Sequence, residues 1–181
     1  MFSQLRAYRN LKGRQKMICT VASNGLEFAN GCLNDREEPH ASIRAALRNN
    51  IWKLFGKGYD VFYSNTEIGV PLWAGSVVTA FGFYNPIYLR VAIPFEEQTS
   101  KWPEEQRDMY FMVHEKSVEA NLIHTHYTSD CYKDADKYMI DNSDALFYYG
   151  KEDDDCFILN YAKEKGLKIF YFYEDCLILN L

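Results

Sequence analysis

Apolar residues in this chain come in short runs, separated by segments that place one apolar face at helical spacing. Met17–Ala22, Val61–Tyr63, Ile87–Ile93, Ala120–His124, Ala145–Tyr149 and Leu167–Tyr173 read as six strands, rich in residues that suit a buried sheet. Ala41–Phe55 sets Ile43, Leu47, Ile51, Leu54 and Phe55 on one face and stops at Gly56 and Gly58, the pattern of an amphipathic helix. A second helix opens near Pro71 and runs to about Phe83, and Pro94 closes the strand that follows it. Pro103-Glu104-Glu105 opens a third, with acids favourably placed in its first turn. Tyr132–Asp141 and Cys156–Lys165 complete the set, the last capped by Asp155 and stopped by Gly166. Strand–helix alternation at this spacing predicts an α/β fold: a doubly wound, mainly parallel sheet of about six strands with helices on both faces.

The stretch Tyr59–Ala80 organises this pattern. A buried strand feeds a polar turn, Ser64-Asn65-Thr66-Glu67, and then directly a helix. Such a junction lies at the C-terminal edge of a parallel sheet, where open α/β folds bind ligands beside unpaired first-turn amides. Gly69 allows close backbone approach, and Trp73 offers a flat apolar wall or else an ordinary core side chain. Ser23–Pro39 is long and dense in turn signals, which makes it a candidate lid.

Composition narrows the class. The chain has 181 residues, 48% hydrophobic and 25% charged, in keeping with one folded domain spanning 1–181. No apolar run reaches the ~18–20 residues of a membrane span. Formal charge is −5, but Arg6, Arg9, Lys12, Arg14 and Lys16 fall in residues 1–16 without an acid. The remainder therefore holds 15 basic against 25 acidic residues, which argues against nucleic acid as the main partner. Residues 1–16 read as a basic lead-in to the first strand. Residues 174–181 end in the apolar CLILNL, which forms an edge strand or buries itself against a second subunit, so a homo-oligomer is a standing expectation. Cys19, Cys32, Cys131, Cys156 and Cys176 are odd in number and include no C-x-x-C pair, which favours free thiols and a cytoplasmic setting.

Gly69–Trp73 (GVPLW), Ile93–Trp102 (IPFEEQTSKW), Lys137–Tyr149 (KYMIDNSDALFYY) and Ala162–Phe172 (AKEKGLKIFYF) follow in the order and spacing of a known group. Over roughly residues 17–173 the chain resembles the YpsA-like branch of the SLOG superfamily. The resemblance implies a Rossmann-like domain whose relatives bind nucleotides or nucleotide-derived ligands such as ADP-ribose-type signals, with one branch cleaving base from ribose phosphate. Several family features are altered here. Thr20 is followed by Val21-Ala22-Ser23-Asn24 where the family pattern is Thr-Gly-His-Arg-Pro, Asn65 or Thr66 stands where a glycine is usual, and Pro71 stands where the family has an acid. Near Ala135-Asp136-Lys137 the family pattern is closer to Arg-Asn-Arg, and Asp153-Asp154-Asp155 replaces Gly-Gly-Thr. Three carboxylates in a turn that otherwise cradles phosphate with bare amides repel that anion.

The expected pocket is Ser23, Asn24, Asn65, Thr66, Gly69, Trp73, Gln98, Trp102, Lys137 and Tyr138. Asn, Thr and Gln read base edges or ribose hydroxyls, and tryptophan stacks on a base. No catalytic set emerges: Glu67 is the only acid of the central turn, and a pair of carboxylates for acid–base work is not evident. His124-Thr125-His126 with Cys131 matches no zinc spacing, and the Asp153–Asp155 run reads as a solvated, helix-capping turn, so no metal and no cofactor are expected. The leading expectation is non-catalytic sensing or sequestering of a nucleotide-derived small molecule. The rivals are a phosphoribohydrolase-like enzyme on nucleoside monophosphates and a repurposed scaffold that works through contacts with a protein partner.

Overall fold

The structure is a computed structural model that describes residues 16–25 and 38–173. The basic lead-in, most of the candidate lid between Ser23 and Pro39, and the apolar tail lie outside the described residues. The described chain runs β1 (Met17–Ser23), α1 (Glu38–Gly56), β2 (Tyr59–Ser64), α2 (Val70–Phe81), β3 (Tyr88–Phe95), α3 (Glu104–Lys116), β4 (Glu119–His124), α4 (Cys131–Asp141), β5 (Ala145–Tyr149), α5 (Phe157–Glu164) and β6 (Lys168–Phe172). All six strands are parallel, in the order β4-β3-β2-β1-β5-β6. This is the doubly wound, Rossmann-like arrangement.

Two apolar clusters lie on the two faces of the sheet. Alternate side chains of a strand point to opposite faces, so Cys19 and Val21 of β1 join one cluster and Ala22 the other. The first cluster takes Leu47, Ile51 and Leu54 from α1 and most of α2, including Val70, Leu72 and Val78. The second takes Ala135, Met139 and Ile140 from α4 and Ile158, Leu159 and Ala162 from α5. β5 is apolar and buried at every position because helices cover it on both sides. Among the described residues, no helix is long and apolar enough to cross a membrane.

Two local expectations change. Pro94 lies inside β3 and does not close it. Pairing with β2 ends at Ser64 opposite Val91, so the ring sits past that ladder while β3 continues along β4 to Phe95. Asp155 does not cap the last helix. The N-cap is Cys156, without a side-chain cap bond, and the Asp155 carboxylate instead accepts from Asn160 Nδ2 at 2.9 Å.

Trp73 belongs to the core and not to a ligand wall: it is 1% exposed and its ring lies 5.0 Å from that of His40. An aromatic side chain removed from such a site leaves a cavity its neighbours cannot close. Trp73→Ala should therefore lower stability by about 3–5 kcal/mol, read from the midpoint and slope of a urea titration. A loss under about 1 kcal/mol would return Trp73 to the surface of a pocket.

Candidate functional site

The strand order reverses beside β1. From β1 the chain steps outward through β2, β3 and β4, then returns along α4 to place β5 on the other side of β1. Loops leaving β1 and β5 therefore diverge, and the gap between them at the C-terminal edge is the usual ligand crevice of such sheets. A cavity of about 440 Å³ occupies it. Its lining comes from three places: Ser23, Asn24 and Gly25 after β1; Glu67, Ile68 and Trp102 from the loops after β2 and β3; and Tyr132, Asp136, Cys156, Phe157 and Ile158 from α4 and the start of α5.

The turn after β2 is held in a strained form by a closed set of hydrogen bonds. Ser64 Oγ donates to the Pro71 carbonyl at 2.8 Å and accepts the Thr66 amide at 2.9 Å. Asn65 Oδ1 accepts the Glu67 amide at 3.0 Å, and Gln98 Nε2 donates to the Asn65 carbonyl at 3.2 Å. Thr66 adopts φ 53, an outlier for a β-branched residue, and its hydroxyl pairs with His114 Nε2 at 3.0 Å. Burial pushes His114 down to about 4, so its ring is neutral there. Gly69 follows at φ 105 as the N-cap of α2.

This turn presents Glu67 to Asp136 of α4. Asn65 Nδ2 donates to Asp136 Oδ1 at 3.2 Å. Burial, and then the charge of Glu67, push the Asp136 carboxyl up to about 8, while the Asn65 bond works the other way. The two acids thus differ: Glu67 is exposed, and Asp136 is half-buried with a proton that it keeps through neutral pH. Burial and the same Glu67 charge push the Tyr132 phenol up, leaving it a hydrogen-bond donor.

On the β1–β5 side, Asp154 sits behind Asn24 and ties the strand ends together. Its Oδ2 accepts from Asn24 Nδ2 at 2.6 Å, the Lys151 amide at 2.8 Å and the Tyr148 hydroxyl at 3.1 Å. Gly150 adopts φ 149, and a Cβ there would overlap both Asp154 Oδ2 and the Tyr148 ring. The acidic turn is therefore an inward tie between two strand ends, with only its flanks solvated as expected.

The ten expected site residues separate. Ser23, Asn24 and Trp102 line the cavity. Asn65 stands one bond behind it and Gln98 a second bond back, and Gly69 shapes the turn. Thr66 faces α3 and Trp73 the core. Lys137 is exposed, and Tyr138 packs edge-on against Tyr63 at 6.1 Å; neither lines the cavity. The pattern missed the acid pair, because Asp136 meets Glu67 only through the crossover of α4. One signal was present: an acid at 136 where the resembled pattern has Asn. His124 is paired with Asp134 at 2.8 Å and Cys131 is buried. Among the described residues no cluster of three or more His, Cys, Asp or Glu could hold a metal ion.

Two further cavities, of about 480 and 570 Å³, lie on the outer side of α1 and α2, lined by Arg44, Arg48, Trp52, Phe81, Tyr84 and their neighbours. They gather cations and aromatic rings on helix backs, away from the strand ends.

Residues 27–174 match the family model described as the YspA SLOG family. A UPF0398 protein of Listeria monocytogenes serotype 4b is 28% identical over 173 residues, 87% of this chain and 90% of that protein. A UPF0398 protein of Oceanobacillus iheyensis is 28% identical over 108 residues, and the match spans only 57% of either chain. The UPF0398 protein YpsA of Bacillus subtilis is 29% identical over 107 residues, 58% of this chain and 59% of its own length.

Folded Asp136 holds its proton up to about pH 8, whereas the unfolded chain releases it near 3.8. Between those values the unfolded state binds fewer protons, so stability falls as pH rises through the window. Asp136→Asn keeps an acceptor for Asn65 and removes the titration. Urea denaturation at about pH 5, 6.5 and 8.5 should show the variant gaining on the parent as pH rises. A difference that stays constant across the range contradicts the placement of Asp136.

Proposed function

The chain belongs to the YspA SLOG family, and from that starting point we propose that it binds a nucleotide-derived small molecule, as a sensor or a sequestering protein. The observation behind this reading is the crevice between the ends of β1 and β5. Its volume, about 440 Å³, lies within the ~300–1,000 Å³ usual for small-molecule sites. Trp102, Tyr132 and Phe157 supply faces for a base or other flat ring. Ser23, Asn24 and the Asp136 carboxyl supply donors and acceptors for ring edges and hydroxyls. The charge of Glu67 disfavours a phosphate beside it, so any anionic part of the ligand lies away from this end.

A second reading draws on the same acids. A protonated carboxyl beside an ionised one is a working arrangement for hydrolysing a base–ribose bond: Asp136 would protonate the departing base, Glu67 would stabilise positive charge growing on the ribose, and water would add to the ribose carbon and return a proton to Asp136. Binding without turnover is the simpler reading, because Asn65 and Gln98 fix the turn while the cavity offers no group for gripping ribose phosphate among its described lining.

A thermal-shift panel of nucleosides, AMP, NAD, ADP-ribose, cyclic ADP-ribose isomers and cyclic dinucleotides separates these outcomes. A ligand at about 100 times its Kd adds ~2.7 kcal/mol, a visible shift, and Trp102→Ala should weaken it at least about tenfold while the protein stays folded. Release of free adenine from AMP would replace binding with catalysis. A flat response to the whole panel would leave contact with a protein partner as the role of the fold.

A further inference from the structure

The charge and the walls of the crevice narrow the ligand class further, on the premise that the crevice holds a nucleotide-derived molecule. Two carboxyl groups, Glu67 and Asp136, line it, and no lysine or arginine does so among the described residues. Three aromatic side chains, half-exposed Trp102 and Tyr132 and exposed Phe157, also line it, the last stacked on Tyr161. Asp136 offers one oxygen to Asn65, which leaves the other without a hydrogen-bonding partner among the described residues. Aromatic faces attract cations through their ring quadrupole, and more strongly where water is displaced. An organic cation would also stabilise the ionised form of an acid that burial and Glu67 now keep protonated. Outside the lead-in the chain is acidic, with 15 basic against 25 acidic residues, so its field also favours approach of a cation.

We propose that the crevice is selective for a nucleoside whose ring carries a fixed positive charge, held with that ring against the Trp102–Tyr132–Phe157 wall and its charge toward Glu67 and Asp136. An anionic nucleotide meets repulsion at that end, a neutral nucleoside lacks the attraction, and a cationic nucleoside satisfies both wall and acids. Binding drives the Asp136 proton into solvent, so uptake of the cation is coupled to release of one proton. The titratable groups that share the crevice lining with Asp136 are Glu67 from the turn after β2, whose charge acts on it, Tyr132 on α4 itself and Cys156 at the start of α5; Asp154 lies behind Asn24, and Lys133 is over the Phe157 ring at 5.6 Å. Of these, Asp136 is the group raised to the edge of the neutral range.

Nicotinamide riboside and its dihydro form make a matched pair, nearly equal in shape, of which only the first has a charged ring. Isothermal titration at about pH 8.5 should give the cation at least about tenfold tighter binding than the neutral form. Its affinity should rise at least about fivefold from pH 6.5 to 8.5, because less Asp136 proton must be expelled. Asp136→Asn should abolish that rise and weaken the cation, whereas Glu67→Gln should weaken it and move the rise to lower pH, because the Glu67 charge helps to raise Asp136. Equal or tighter binding of the dihydro form overturns the proposal and leaves nucleoside binding standing. If neither form nor any ordinary nucleoside binds, the reading of the crevice as a nucleotide-derived ligand site falls with it.

Discussion

The structure depends on how the turn after β2 and the start of α4 are held together. Asn65 bridges them, with one side-chain atom on the Glu67 amide and another on Asp136, while Gln98 fixes its carbonyl from behind. This single asparagine brings an exposed acid and a half-buried one to one crevice, where burial and the Glu67 charge raise the Asp136 carboxyl against the pull of the Asn65 bond. The positive φ at Thr66 is part of the same constraint, since a chain bent otherwise would not aim Glu67 toward α4.

Across the crevice, Asp154 plays the corresponding role for β1 and β5. One carboxylate oxygen joins Asn24, Tyr148 and the Lys151 amide, filling the place where a glycine-rich turn would bare its amides to phosphate. The acidic turn thus welds the strand ends together. Beside it lies a cavity with aromatic rings and two carboxyl groups in its lining.

Much of the fold was legible because apolar runs at sheet spacing alternate with apolar faces at helix spacing. β5, Ala145–Tyr149, falls where the pattern placed it, since a strand buried on both faces is apolar throughout. β3 ran past Pro94 because the sequence shows a proline but not which neighbouring strand has already ended. The site was legible only along the chain. Ser23, Asn24 and Trp102 sit near strand ends and reached the cavity. Trp73 lies one turn into a helix whose face is set by packing, and that face turned to the core. Asp136 could not be joined to Glu67 without the topology, as 69 positions separate them and only the return of α4 across the sheet makes them neighbours.

Chemical-shift mapping tests the central claim, that the ligand site is the crevice between β1 and β5. On titration of ¹⁵N-labelled protein with nicotinamide riboside, the account predicts that the largest amide shifts fall on Ser23–Gly25, Glu67–Ile68 and Cys156–Ile158. Shifts confined to Arg48, Trp52, Phe81 and their neighbours on α1 and α2 would contradict it, and so would a spectrum that does not move.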